Sequence, residues 1–385
     1  MRLNMKLIIP RFFTPPKQSF FLFGPRGTGK STWLKAHFEN ALWLDLLDPE
    51  TFRLYSARPE RLEELVLGNP EKKDVVIDEV QKIPELLDVV HALIEKKLGL
   101  RFILTGSSSR KLKRTGVDLL AGRAVKRDLH PFMAAELKDK FKLAEALENG
   151  LLPLVFKSND KDSVLKAYAS LYVTEEVQAE GLVRNIGNFS RFLEAISFSH
   201  ASVLNISNVA RDCQVERKVV ENYVSILEDL LLSCRLPVFS KRAKRELISH
   251  NKFYFFDAGV FRSLRPSGPL DKSEEISGAA LEGLVLQHLT AWNSYTGEKN
   301  KIYFWRTRSG SEVDFVVYGP NVFWAIEVKN AAKISESDLR SLRTFKEDYP
   351  ECKTYVLYRG KEKLLRRGVQ IVPCEDFLLG LNLKH

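Results

Sequence analysis

The residues best suited to chemistry in this 385-residue chain form two groups, and both point to phosphates. The first is Gly24-Pro25-Arg26-Gly27-Thr28-Gly29-Lys30-Ser31, a GxxxxGK[ST] pattern between a short apolar run, Ser19 to Phe23, and a helix expected from about Lys30 to Glu39. Glycines at this spacing let backbone N–H groups turn inward around phosphate oxygens, and a helix N-terminus adds the positive end of its dipole. In such a loop Lys30 reaches the β- and γ-phosphates of ATP and Ser31 ligates Mg²⁺. The apolar run Val75 to Ile77 then ends in Asp78-Glu79. Asp78 would hold Mg²⁺ through water. Glu79 would polarise an attacking water, which marks hydrolysis rather than binding alone. Thr105 or Ser107, after the next apolar run, offers a hydroxyl to sense the γ-phosphate. Arg123, in Leu120-Ala121-Gly122-Arg123, offers a guanidinium to neutralise transition-state charge across a subunit boundary, with Arg110, Arg114 and Arg127 as alternatives.

The second group lies near the C-terminus. Asp314 stands mid-strand in SEVDFVV, a YGPN turn reverses the chain, and Glu327-Val328-Lys329 ends the next strand. Period-two geometry puts Glu327 and Lys329 on one face, where Asp314 of the adjoining strand can join them. Glu282, on the helix before, adds a fourth group. Carboxylates so gathered bind hard Mg²⁺ or Mn²⁺, and a metal beside Lys329 could generate hydroxide and stabilise a pentavalent phosphate. The alternative is ordinary ion pairing between strands.

The elements needed to position these groups can be read from patterning. Short apolar strands at 19–23, 42–46, 74–78 and 101–105 alternate with helices, which implies a parallel α/β sheet over residues 1–155. Residues 156–260 turn helical. From Asn205 to Leu232 a short helix, with Ser207 as N-cap, breaks near Cys213 to Glu216. A longer helix follows, with Val219, Val220, Tyr223, Ile226, Leu227 and Leu230 on one face. Two apolar runs flank the basic loop KRAKRE, completing the pattern of a helix-turn-helix with a wing. Arg217 and Lys218 open the would-be recognition helix, and Lys241, Arg242, Lys244 and Arg245 lie in the wing, where they would meet DNA phosphates. Protein contact is the alternative use of such a segment. Residues 261–275 read as a linker, and 276–385 as helix, three strands, helix and strand.

Composition narrows the class. The chain carries 59 Lys+Arg against 49 Asp+Glu, a formal charge of +10. Segments 101–130 and 235–272 each carry a net +6, so the basic character is local and suits a polyanion. No apolar run is long enough to span a membrane, and the N-terminal apolar run is too short for a signal peptide. Four scattered cysteines with no CxxC suggest neither a zinc site nor a disulfide framework, and a reducing cytoplasm is expected.

Taken together, GPRGTGKS, VVIDEVQKIP, LTGSSS and LAGR resemble an AAA+-type ATPase domain. Asn205 to Leu232 resembles an appended winged helix. ALEGLVLQHL, YFWRTRSGSEVDFVV and AIEVK resemble a PD-(D/E)XK nuclease-like domain. This order is similar to a family of prokaryotic ATPases. The resemblance implies an AAA+ parallel-sheet domain, a helical winged-helix domain and a C-terminal α/β restriction-endonuclease-like domain. It implies ATPase roles for Lys30, Ser31, Asp78, Glu79 and Arg123, and a nuclease-like core of Glu282, Asp314, Glu327 and Lys329. It also implies a ring of subunits, six in the usual case, with ATP at the interfaces. No clear second sensor arginine follows Val155, where Arg184 and Arg191 stand. The expectation is an ATP-hydrolysing protein that remodels or cleaves duplex or branched DNA in repair, recombination or defence. The alternatives are a DNA-binding switch whose nuclease-like domain does not cut, and a signalling ATPase whose winged helix holds proteins.

Overall fold

The structure is a computed structural model that describes residues 9–107, 120, 122–172, 177–178, 183, 185–241, 243–297 and 299–383. Arg242, an expected DNA contact, lies outside these residues, as do Arg110, Arg114 and Arg184. The chain forms two compact units, one of residues 13–130 with 229–231, the other drawn mainly from 131–228 and 232–385.

The first unit is built on five parallel strands: β1 (Phe20–Phe23), β2 (Leu42–Asp45), β3 (Asp74–Asp78), β4 (Arg101–Gly106) and β5 (Val125–Asp128). Their order is β2-β3-β4-β1-β5. β1, β3 and β4 are buried almost throughout, as parallel strands are, which is why each reads as a continuous apolar run. The insertion of β4 between β1 and β3 matters most for chemistry. It lines up three carboxyl ends at one sheet edge: the phosphate-type loop after β1, Thr105 in β4, and Asp78 at the end of β3. Ligands of open α/β sheets bind at this edge, where chain connections diverge. β5 was not expected, because its VKRD sequence is polar and only partly buried.

In the second unit, helices Ile186–Ser197, Ile206–Cys213 and Arg217–Asp229 accompany a small antiparallel sheet. Its strands are β6 (Ser202–Val203), β7 (Ser233–Leu236) and β8 (Lys252–Phe255), in the order β6-β8-β7. Asn205, not Ser207, caps the middle helix, its side chain accepting from Asn208 N at 3.1 Å. The turn after this helix passes through Gln214 in the left-handed region. Val220, Tyr223, Val224, Ile226 and Leu227 form the buried face of the helix that follows.

The largest sheet has six strands: β9 (Lys301–Arg306), β10 (Glu312–Tyr318), β11 (Phe323–Lys329), β12 (Lys353–Tyr358), β13 (Leu364–Arg366) and β14 (Val369–Pro373). Their order is β13-β14-β12-β11-β10-β9. Against it lies the long helix Ser273–Tyr295, buried through its middle, with Trp292 stacked on Trp324 at 5.4 Å.

The expected division at 1–155, 156–260 and 276–385 differs from the packing in two ways. Asp257 caps the helix Ala258–Leu264 and also accepts from Leu151 N at 2.8 Å, which ties residues near 150 to the second unit. The expected linker at 261–275 is therefore helical at both ends, since Ser273 already belongs to the long helix. In addition, the loop between β7 and β8 pairs with the edge strand β9. Phe239 N donates to Phe304 O at 2.7 Å, and Ile248 N donates to Arg306 O at 3.2 Å. The small sheet and the large one consequently pack as a single unit.

Candidate functional site

The GPRGTGKS segment turns from β1 into the helix Lys30–His37. Gly24 runs so close to Leu129 that a Cβ there would stand 2.4 Å from its carbonyl oxygen. Gly29 caps the helix with φ 88°, a left-handed conformation that favours glycine. The loop is tied internally: Thr28 Oγ1 donates to Pro25 O at 2.8 Å, and the buried Lys30 Nζ donates to Gly24 O at 2.6 Å. Arg26, at the crest, is exposed.

Ser31, Asp78, Glu79 and Thr105 meet at the sheet edge. Ser31 Oγ donates to one oxygen of the buried Asp78 carboxylate at 2.6 Å, and Thr105 Oγ1 donates to the other. Thr105 Oγ1 in turn accepts from Glu79 N at 3.1 Å. Its hydroxyl thus bridges Asp78 and Glu79. Ser31 and Asp78 form the oxygen pair suited to a hard cation such as Mg²⁺.

Glu79 adopts φ 62°, ψ 46°, left-handed backbone in a residue with a full side chain. That conformation costs about 1–2 kcal/mol, and such strain collects where surroundings dictate a functional geometry. A residue that sequence reasoning passed over holds the carboxylate. Gln81 is buried, and its Nε2 donates to Glu79 Oε2 at 2.6 Å and to Ser107 Oγ at 3.4 Å. Its amide packs so tightly over Gly106 that a Cβ there would lie 2.5 Å from Gln81 Oε1. Arg123 is half-exposed and pairs with Glu95 of its own unit.

The second group also comes together, with an addition. Lys329 Nζ donates to Glu327 Oε1 at 2.7 Å, and Asp314 Oδ2 accepts from Val328 N at 2.8 Å, so the carboxylates adjoin as the strand period required. The pairing of β10 with β9 slips between Val313 and Val316, an irregularity of the kind that re-aims a side chain, and Asp314 lies inside it. At the centre stands Lys252, from β8. Its ammonium is 2.8 Å from Glu282, 2.5 Å from Glu312 and 3.4 Å from Asp314, with the side chain 3% exposed. Tyr254 OH donates to the same Glu282 oxygen at 2.5 Å.

Burial opposes charge on Lys252, but Glu282, Tyr254, Asp314 and Glu312 outweigh it and hold its pKa well above the usual lysine value. Burial first, and Asp314 second, raise Glu282 to about 7 and push Glu327 up as well. Of the expected metal ligands, Glu282 and Asp314 therefore face the Lys252 ammonium, while Glu327 is held by Lys329. Among the described residues no group of three or more His, Cys, Asp or Glu is placed to hold a metal ion.

The expected DNA contacts divide between two places. Arg217 and Lys218 are exposed at the start of helix Arg217–Asp229, with Arg217 Nε 3.0 Å from Glu221. Lys241, Lys244 and Arg245 lie in the loop that pairs with β9. Arg245 is 3.0 Å from Glu347 and 2.9 Å from Asp348. Lys241 Nζ sits 4.3 Å from the Tyr318 ring centroid, and Lys244 is exposed.

Comparison with known proteins gives a family match to each of three stretches of the chain. Residues 16–138 match a family described as AAA domain. Residues 140–271 and 277–377 match two domains of unknown function, DUF8612 and DUF4143. An uncharacterised protein of Mycobacterium tuberculosis is 26% identical over 312 residues, 79% of this chain and 69% of its own length. An uncharacterised protein of Methanocaldococcus jannaschii is 25% identical over 338 residues, 80% of this chain and 73% of its own. A solved structure of the replication initiator DnaA bound to AMPPCP and single-stranded DNA overlaps 55% of this chain and 82% of that one, at 13% identity and TM-score 0.26. AMPPCP-bound DnaA from Aquifex aeolicus gives the same coverage at 14% identity and TM-score 0.27. Residues 16–138 are thus similar to an AAA domain, and among the described residues no helix is long and apolar enough to cross a membrane.

Proposed function

We propose that this chain hydrolyses ATP with Mg²⁺ at the edge of the parallel sheet and uses the cycle to bind and remodel DNA, without cutting it. The observation that carries the reading is the Ser31–Asp78–Thr105–Glu79 chain of hydrogen bonds beside the phosphate loop. The loop's N–H groups and Lys30 would take the phosphates, and Ser31 and Asp78 the Mg²⁺. Glu79 would orient the attacking water under the hold of Gln81. Arg123 would serve a neighbouring subunit in a ring, six being the number the sequence resemblance favours. Its present partner Glu95 is exposed, and such pairs exchange easily.

DNA binding rests on the local basic character and on the helix-turn-helix pattern, read as a winged helix with Arg217, Lys218, Lys241 and Lys244 toward phosphates. Duplex or branched DNA is the proposed substrate. The C-terminal domain, read as nuclease-like in fold, would hold DNA or the winged helix, because Lys252 fills its carboxylate cluster. The pairing of the wing with β9 favours a second reading, in which the wing serves protein contact and DNA plays no part.

The deciding experiment measures ATP hydrolysis with and without linear and four-way branched DNA, beside Glu79→Gln. Hydrolysis lost in the variant and raised by DNA supports the first reading. A rate indifferent to DNA, with DNA affinity unchanged in Lys218→Glu and Lys244→Glu, supports the second. Cleavage of either DNA would overturn the non-cutting part.

A further inference from the structure

We propose that Lys252 is the resident cation of the Glu282–Glu312–Asp314–Glu327 cluster, so that the site excludes a divalent metal and instead bolts the small antiparallel sheet to the large one. The nuclease-like resemblance implies a divalent metal held by Glu282, Asp314 and Glu327, and the residues present do not fit one. A hard cation needs several oxygens at about 2.0–2.6 Å in open coordination. Here the three donors of one ammonium face Glu282, Glu312 and Asp314, at 2.8, 2.5 and 3.4 Å.

The ammonium is no loose surface tail. Lys252 opens β8 and is paired on both sides, with Val203 of β6 and Leu236 of β7. Its backbone is thus fixed by strand pairing on both sides. Tyr254, two residues along and therefore on the same face, donates to the same Glu282 oxygen that Lys252 meets. One strand thus delivers both a cation and a hydroxyl to one carboxylate. Two further cations lie beside the cluster: Lys329 serves Glu327 at 2.7 Å and Arg306 serves Glu312 at 3.2 Å. Glu327 Oε2 is the acceptor left over, buried and without a hydrogen-bond partner. It points to the oxygen that a second cation would claim if Lys252 were removed. A metal beside the intact ammonium would instead meet like charge in a dry site, where Coulomb repulsion is strong.

The test is Mn²⁺ binding to the full, nucleotide-free chain, followed by loss of the free-ion signal in electron paramagnetic resonance. Wild type and Glu327→Gln should titrate alike, with no difference assignable to the cluster. Lys252→Met should gain one site, roughly tenfold or more tighter than any in wild type, since three carboxylates lose their cation. The double variant Lys252→Met/Glu327→Gln should lose it again. A wild-type Mn²⁺ site that Glu327→Gln removes would overturn the proposal, and so would a folded Lys252→Met that gains no site. If Lys252→Met does not fold, the comparison of wild type with Glu327→Gln still decides.

Discussion

The Gln81 amide holds the Glu79 carboxylate at 2.6 Å across a single intervening residue, and it does so from a buried position wedged over Gly106. The carboxylate of the residue read as the base is therefore held from its own turn, while its backbone N–H is held by Thr105 of β4.

Replacing Gln81 by Leu removes that donor while keeping the volume. ATP turnover should fall about tenfold or more, with KM for ATP changed by less than about threefold, because only the transition-state arrangement is lost. Steady-state kinetics on the purified chain read both values. An equal loss in KM would mean that Gln81 supports binding, not the base.

Thr105 makes two hydrogen bonds with one hydroxyl. Thr105→Val would leave Glu79 N without its acceptor and one Asp78 oxygen without its donor, at a cost of about 1–3 kcal/mol for each group left dry. Turnover and thermal stability should both fall, and Thr105→Ser should restore them. A Val variant that hydrolyses ATP normally would show that the bridge is dispensable.

Gly24→Ala would place a methyl group 2.4 Å from Leu129 O, so the loop must shift. Affinity for a fluorescent ATP analogue should drop about a hundredfold, more than for Gly99→Ala on the same unit, where a Cβ meets nothing within 4 Å. Equilibrium titration of both variants makes the comparison.

How much of this was legible in the sequence depends on sequence separation. The phosphate loop, β3 and β4 are local signals, since a glycine pattern and buried apolar runs are visible wherever they occur. β5 escaped because Val125-Lys126-Arg127-Asp128 is polar, and a short edge strand needs no apolar run. Gln81 was in plain view within VVIDEVQKIP, and only the left-handed turn at Glu79 explains why it folds back. Lys252 could not have been found this way. As a lone lysine before Phe253-Tyr254-Phe255 it reads as a strand end, and its partners Glu282 and Asp314 lie 30 and 62 residues further along. The docking of the wing was invisible for the same reason, being a pairing between segments that share no local pattern.

Lys252→Met should destabilise the second unit by about 3–5 kcal/mol, because it strands buried carboxylates without a counter-charge. Chemical denaturation monitored by tryptophan fluorescence reads the change. Lowering the pH should recover part of it, since protonating Glu282, already raised to about 7, removes one of the charges left unpaired.

His288 supplies a prediction with the opposite sign. Its Nδ1 bonds Leu284 O at 2.8 Å and its Nε2 accepts from Ala134 N at 2.9 Å, which requires a neutral ring, and burial lowers its pKa to about 4. A histidine depressed on folding contributes stability that is complete above about pH 6.5 and is lost as pH falls from there toward 4. His288→Gln should accordingly be less stable than wild type at pH 7.5, with the deficit shrinking at pH 5. Denaturation midpoints at the two values check it, and a deficit independent of pH would contradict the neutral assignment.

The pairing of the wing with β9 has a consequence for the chain's behaviour in concentrated solution. Strand β9 ends the six-stranded sheet, and an uncovered edge offers unpaired N–H and C=O groups as a template for other chains. Here residues 237–239 and 246–248 take up those groups, while the opposite border is a strand of only three residues, Leu364–Arg366. Any event that lifts the wing away, including a partner binding it, would also uncover a sticky border. The wing is in this sense a sheath, and the molecule's resistance to clumping depends on its staying in place.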